Sequence, residues 1–333
     1  MSSVLLTLRS LSAAVAALSM SAAHVAIHAA APAGEKYPTK PVRLIVPFVA
    51  GAGTDITGRT IAQKLTERFD QQVVVDNRPG AAGAIGVDLT AQAVPDGYTL
   101  CLISASHAVN SATNPKLPYD LMRDLQPIAQ ATSLFYVMYV NGTVPVKSVQ
   151  ELVVYAKSNP GKLNFGSSGT GGLQHLAGEM FNHLGGVKMV HVPYKGGAAV
   201  ITDALSGNIQ VGFGTLLSLR VHFKSGRLRG LGVSSDTRQP SAPELPTIAE
   251  SGLKGYDVDQ WYGVITAVKV PRRIVDQLAA GIAEGLKAPD VAKRLQAEGS
   301  TPVGGTPDAF GALIKTEIGK WRKLVKEAGL QLH

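Results

Sequence analysis

A chain of 333 residues, or about 300 once a leader is set aside, is long enough for a sizeable core and favours two domains over one. Lysine and arginine outnumber aspartate and glutamate by 32 to 24, yet no run of five or six basic residues occurs and the aromatics are not interleaved with basic clusters, which excludes a nucleic-acid track. The single cysteine, Cys101, excludes an intramolecular disulfide, and its apolar surroundings in sequence read as those of a buried structural thiol.

Residues Met1 to about Ala31 hold one charged side chain, Arg9, followed by a small-residue apolar stretch. Leu11 to Met20 has the length of a signal h-region, and Ala29, Ala30 and Ala31 offer small residues for cleavage, so residues 1–31 read as an export signal. Ser, Ala, His24 and His28 make the segment weakly apolar for a membrane-spanning helix.

Val42 to Val46 is a β-branched run suited to a buried strand, and Gly51 and Gly53 interrupt it before an amphipathic helix near Ile56. Thr54 or Asp55 can cap that helix, whose free N–H groups and positive end suit an anion; the turn is read as holding a carboxylate. The plain alternative is a tight turn and nothing more. A dinucleotide fingerprint needs a third glycine where Ile56 stands, so no nucleotide is implied.

Val73 to Val75 is the second predicted strand, followed by a Gly/Ala-rich turn and a helix from about Ile85. Pro95-Asp96-Gly97 marks a turn, and Tyr98 to Ile103 a third strand ending at Ser104-Ala105-Ser106-His107. This βαβαβ order predicts a parallel sheet whose ligand rim, beyond the carboxyl ends of the strands, gathers Ser104 and Ser106 with Gly51 to Asp55.

Phe135 to Val140 is strongly β-forming, and a domain crossing is placed near residue 138. Ser148 caps a helix through Ser158, and Leu163 to Phe165 starts a strand running into Gly166-Ser167-Ser168-Gly169-Thr170-Gly171-Gly172 and a helix carrying His175 and Glu179. The opening architecture repeats here. The loop lacks the Gly-Lys-Ser/Thr of a phosphate loop and the Gly-x-Ser-x-Gly of a nucleophile elbow. His175 and Glu179, one turn apart without His-Glu-x-x-His, read as a local helix pair, with an acid-base pair of an exported hydrolase or isomerase as the rival.

Val190 to Lys195 gives another strand and turn, Ile209 to Phe213 and Gly226 to Val233 two more strands, and Pro240, Pro243 and Pro246 a long surface segment. Tyr256 to Val268 is the return strand, with Trp261 and Tyr262 as rim or core aromatics. Pro271 and Pro289 open helices, and Thr306-Pro307 starts the last one, with a stripe of Phe310, Leu313, Ile314, Trp321, Leu324, Val325 and Ala328, and Glu317 on the same face.

Taken together, Tyr37-Pro38, Pro41 to Phe48, Asp55, Asn77 to Ala81, Pro95 to Leu100, Gly169-Thr170-Gly171 with His175 and Glu179, Val192 to Gly196, and the last helix with Glu317, Trp321, Ala328 and Gly329 resemble the Bug family. These are the TctC-like extracytoplasmic solute receptors of tripartite tricarboxylate transporters, and the ordered set spans nearly the whole exported chain. The resemblance implies a two-lobed α/β fold of the periplasmic-binding-protein (Venus flytrap, type II-like) kind. Lobe 1 would take residues 36–137 and 258–333, and lobe 2 residues 138–257.

It further implies a receptor and no enzyme, with no cofactor or metal, gripping a carboxylate through backbone amides and waters. The candidate residues are Phe48, Gly51, Gly53, Thr54, Asp55, Ser104 and Ser106 in lobe 1, and Gly169, Thr170, Gly171 and His175 in lobe 2. The ligand would be a small dicarboxylate, aromatic acid or amino acid, for whose ammonium Asp55 is a candidate partner. Its receiver would be the membrane permease subunits of a tripartite tricarboxylate transporter or a sensor kinase, and the receptor itself a monomer. The chain departs from the family's Pro-Gly-Gly with Ala50-Gly51-Ala52, and Ala52 restricts φ relative to glycine.

Overall fold

The computed structural model describes residues 36–330 except 52, 195 and 298; the leader, Ala52 and Lys195 of the sequence reading lie outside the described residues. Residues from Pro38 onward form one unit. Its strands are β1 (Val42–Val46), β2 (Val73–Asn77), β3 (Thr99–Ser104), β4 (Leu125–Phe135), β5 (Val137–Asn141), β6 (Asn164–Ser167), β7 (Val190–Pro193), β8 (Val211–Gly214), β9 (Leu228–Val233), β10 (Asp259–Ala267) and β11 (Ser300–Pro302). The helices are α1 (Gly53–Phe69), α2 (Ala84–Ala91), α3 (Ala105–Thr113), α4 (Val149–Ser158), α5 (Leu173–Gly185), α6 (Gly197–Ser206), α7 (Leu216–Lys224), α8 (Arg272–Leu286), α9 (Pro289–Ala297) and α10 (Pro307–Glu327).

Two sheets result, one ordered β11-β4-β10-β3-β1-β2 and the other β7-β6-β8-β5-β9. Apart from the short edge strand β11 they share one plan: β2-β1-β3-β10-β4 matches β7-β6-β8-β5-β9. The strand–helix alternation predicts parallel pairing, and β1 pairs parallel with β2 and β3, as β6 does with β7 and β8. The fourth strand of each sheet departs from that expectation. β10 runs antiparallel to β3 and β4, and β5 antiparallel to β8 and β9, because each has just arrived from the other sheet and enters from the opposite end.

The chain passes from the first sheet to the second at Tyr136 and returns through the segment before β10. Ser234 ties these crossings together: its Oγ accepts from the Tyr136 N–H (2.9 Å) and donates to the Val258 carbonyl (2.6 Å). Its backbone bonds Tyr136 O and Val258 N, each at 2.9 Å. The register places β4's carboxyl end at this junction, along with the carboxyl ends of β1 and β3. In the second sheet Val137 pairs with both Gly214 and Val233, so the carboxyl ends of β6, β8 and β9 also reach it. Every loop that follows a parallel strand in either sheet therefore emerges at the junction end.

One apolar cluster runs through this junction, from Ile45 and Ile103 through Tyr136 and Met138 to Leu173 and Phe181. Burying side chains such as Trp261, Phe165 and Phe181 contributes on the order of 2–3 kcal/mol each. Two glycines make room for rings: a Cβ at Gly178 on α5 would lie 2.1 Å from the Phe165 ring, and one at Gly263 on β10 would lie 2.1 Å from Phe310. Trp261 is core, edge-on to Phe310 at 5.4 Å. The predicted stripe of the last helix buries Phe310, Ile314, Trp321 and Leu324. Glu317, buried among them, accepts from the Trp321 indole (3.0 Å) and pairs with Lys320 (2.5 Å). Thr306 caps this helix through the Ala309 N–H at 3.2 Å, as Ser148 caps α4 through Glu151 at 3.1 Å.

Candidate functional site

In the first lobe β1 hands over to α1, with residues 47–51 leading toward the helix start. Gly51 holds φ +84°, a left-handed conformation that a side chain strains. The loop is clamped by Asp55. One of its carboxylate oxygens accepts from the Gly51 N–H and from Arg59 Nε, both at 2.9 Å; the other accepts from Asn77 Nδ2 at 2.9 Å. Asn77 Nδ2 also donates to the Phe48 carbonyl (3.1 Å), and Arg59 reaches Asn77 Oδ1 (3.2 Å). Burial opposes ionisation of Asp55, but the donors Arg59, Gly51 and Asn77 outweigh it and hold its pKa below the usual carboxylate value. With these partners the carboxylate is a loop brace, and the Gly51 amide is spent on it.

The amides of Gly53 and Thr54 meet no hydrogen-bond acceptor among the described residues. Gly53 is exposed, and Thr54 is buried at the helix start. The Tyr262 hydroxyl lies 3.4 Å from where a Gly53 Cβ would stand, which puts this β10 aromatic at the α1 N-terminus. Next door, β3 ends at Ser104, whose N–H donates to His107 Nδ1 at 3.0 Å and closes the first turn of α3. Ser104 is buried there and Ser106 half-buried. The Phe48 ring stands edge-on to His107 at 5.5 Å, joining the two loops. Burial pushes the His107 pKa down to about 4.

In the second lobe the loop between β6 and α5 is held by neutral groups. Ser167 Oγ donates to Gly169 O (2.9 Å), accepts from Gly169 N–H (3.2 Å) and lies 2.6 Å from His191 Nε2. Gln174 accepts from the Ser168 N–H (2.9 Å) and donates to Phe213 O (2.7 Å). The Gly171 N–H donates to His175 Nδ1 at 3.1 Å, while His175 Nε2 faces Glu179 at 3.6 Å. The amides of Thr170 and Leu173 meet no acceptor among the described residues, and Thr170 is exposed. Of the second-lobe candidates, Thr170 thus presents itself outward, whereas Gly171 and His175 are engaged with each other.

Two features escape the sequence reading. His191, half-buried on β7, stacks on His175 with ring centroids 3.6 Å apart; the only hint was its place in the alternating Val190-His191-Val192. The matching strand order also makes the β8–α7 junction at Thr215 the counterpart of Ser104, with Thr215 Oγ1 donating to Ser218 Oγ at 3.0 Å. No strong turn motif marks that junction. No group of three or more His, Cys, Asp or Glu suited to a metal exists among the described residues, and none of their helices is long and apolar enough to cross a membrane.

Two sheets of one plan, joined by a double crossing and carrying loop–helix starts at their junction ends, define the two-lobed periplasmic-binding-protein fold. The chain belongs to the tripartite tricarboxylate transporter family of receptors, whose model matches residues 57–330. It is 34% identical over 306 residues to BugT of Bordetella pertussis, covering 91% of this chain and 94% of that one. Among solved structures it is similar to R. palustris Rpa4515 with adipate (TM-score 0.77, 34% identity, 88% of this chain and 98% of that one). It is also similar to MatC from Rhodopseudomonas palustris with bound malate (TM-score 0.75, 26% identity, 87% and 100%). The chain is accordingly a Bug-type solute-binding receptor and not an enzyme, which removes the hydrolase or isomerase reading of His175 and Glu179.

Proposed function

We propose that the chain is a periplasmic receptor that captures a small carboxylated solute between lobe 1 (36–137 and 258–333) and lobe 2 (138–257) and delivers it to the permease subunits of a tripartite tricarboxylate transporter. Residues 1–31 act as the cleaved export signal. The observation that carries this reading is the pair of helix starts at the junction ends of the two sheets, each with amides that meet no acceptor among the described residues: Gly53 and Thr54 in one lobe, Thr170 and Leu173 in the other. A helix N-terminus adds partial positive charge to such donors, and each charge-assisted bond to a carboxylate stabilises by about 1.5–3 kcal/mol. The adipate and malate named with Rpa4515 and MatC support a dicarboxylate.

Phe48, Ser104 and Ser106 line the first-lobe rim, and Gly51, Asp55, Gly169, Gly171 and His175 hold the two loops in shape. Asp55, engaged by three donors, braces its loop. Closure follows from binding, because only the closed state brings both sets of amides to one ligand. Thermal unfolding with adipate, malate, aromatic acids and amino acids tests the reading. A rise in Tm with carboxylates, each recovered unchanged, is expected; conversion of any ligand, or a panel without effect, overturns it.

A further inference from the structure

The second-lobe loop rests on an arrangement whose hydrogens can be counted. Ser167 Oγ has one hydrogen, and the Gly169 carbonyl 2.9 Å away, which can only accept, is the partner assigned to it. The same oxygen already accepts from the Gly169 N–H. Its 2.6 Å contact with His191 Nε2 therefore needs its hydrogen from the ring, so His191 carries a proton on Nε2. His175 is fixed by the same reasoning. Its Nδ1 faces the Gly171 N–H, a donor, at 3.1 Å; Nδ1 must be bare, and the ring proton sits on Nε2, toward Glu179.

The two rings stack at 3.6 Å with an interplanar angle of 15°, and Phe165 lies against both, at 5.1 Å from His191 and 6.2 Å from His175. A second positive charge at that separation, in a site that is largely desolvated, would be strongly repelled. Burial, with His175 alongside, accordingly drives the His191 pKa down to about 4.

We infer that His175 and His191 are positioning residues of the solute site: a neutral, stacked imidazole pair, each protonated on Nε2, that fixes Gly171 and Gly169 and so leaves the Thr170 and Leu173 amides for the ligand. This deepens the receptor reading and rests on it for the word solute. The proton count also assigns Ser167 its role. The imidazole gives a hydrogen to that hydroxyl instead of taking one, so Ser167 is a loop anchor and no activated nucleophile.

The test needs no ligand, so its failure is separate from a failure of the carboxylate panel. On the exported chain labelled with ¹⁵N-histidine at pH 7, both rings are expected to show a bare Nδ1 and a protonated Nε2. A protonated Nδ1 on either ring, or an imidazolium, overturns the assignment. Amide exchange of Gly171 should quicken about tenfold in His175→Leu, with the hydrogen bond gone. It should return toward the wild-type rate in His175→Asn, whose Oδ1 takes the place of Nδ1. His191→Leu should quicken Gly169 exchange and His191→Gln restore it. Denaturant midpoints verify that each variant is folded. Unchanged exchange in both leucine variants, or no recovery in the Asn and Gln variants, refutes the positioning role.

Discussion

The β1–α1 and β6–α5 loops occupy the same place in the same strand order, yet they are braced by opposite chemistry. In lobe 1 an ionised carboxylate, Asp55, gathers an amide, a guanidinium and a carboxamide. In lobe 2 a hydroxyl, a carboxamide and two uncharged imidazoles do the same work. Topology thus sets where an anion-receptive helix start appears, while the side chains that stiffen it are free to differ. The difference shows in what each brace tolerates: the carboxylate withstands acid until its lowered pKa is reached, whereas the imidazole stack is disrupted once His191 charges.

The harshest way to break the comparison is Asp55→Ala. It takes the carboxylate acceptor from the half-buried Asn77 amide, the Gly51 N–H and the Arg59 guanidinium, an expected loss of roughly 2–3 kcal/mol in chemical denaturation, with carboxylate binding abolished. Asp55→Asn, which keeps an acceptor, should lose less.

Acid should separate the loops next. The folded-state pKa of His191 is depressed from 6.5 to about 4, so the unfolded chain binds its proton first, and stability present above 6.5 is lost as pH falls toward 4. That amounts to on the order of 2 kcal/mol. Asp55, with its pKa below the ordinary 3.8, keeps its contribution until pH drops through its own lower value. Other described groups also shape the acid response, among them His107 and Asp259. His107 of lobe 1, also near 4, adds to the acid loss. Asp259 opposes it: burial, with Asp257 adding to it, pushes its carboxyl up to about 7, so the folded chain holds that proton more tightly and gains stability as pH falls from 7 toward 4. The expected outcome is a steeper loss of Tm from pH 7 to 4 in Asp259→Asn than in wild type. Locally, charging His191 against the stacked His175 should loosen the second-lobe loop, so the Gly169 amide should open before the Gly51 amide, each normalised to its intrinsic exchange rate; simultaneous opening would refute the contrast.

The mildest effect concerns the plate beneath the imidazoles. Gly178→Ala puts a methyl into the Phe165 ring, and the displaced ring should loosen the stack for about 1–2 kcal/mol of stability. Weakened carboxylate affinity with an intact first-lobe loop is the expected signature, read by titration and by Gly51 exchange.

Much of this was legible in the residues. Glycines before helix starts, Ser148 and Thr306 as caps and the apolar run of β1 each carry a local physical rule, and the structure has them where those rules place them. The antiparallel fourth strands were not legible, because their direction is decided by the crossing of the chain and not by any local preference. Phe135 to Val140, read as one strand, is cut at Tyr136, where the chain changes sheets. The helix α7 and the His191 stack were invisible for a related reason. Leu216–Lys224 has no strong flanking turn, and a histidine in a strand announces its partner only once β6, β7 and α5 are assembled.

The serine at the crossing has one more consequence. Because Ser234 binds both the outgoing strand at Tyr136 and the returning strand at Val258, the two halves share a spine of bundled backbone. A swing about that spine leaves its four bonds whole, while a sideways glide would tear them. The proposed closure on a solute is therefore expected to be a hinge, like a book that shuts and does not shear.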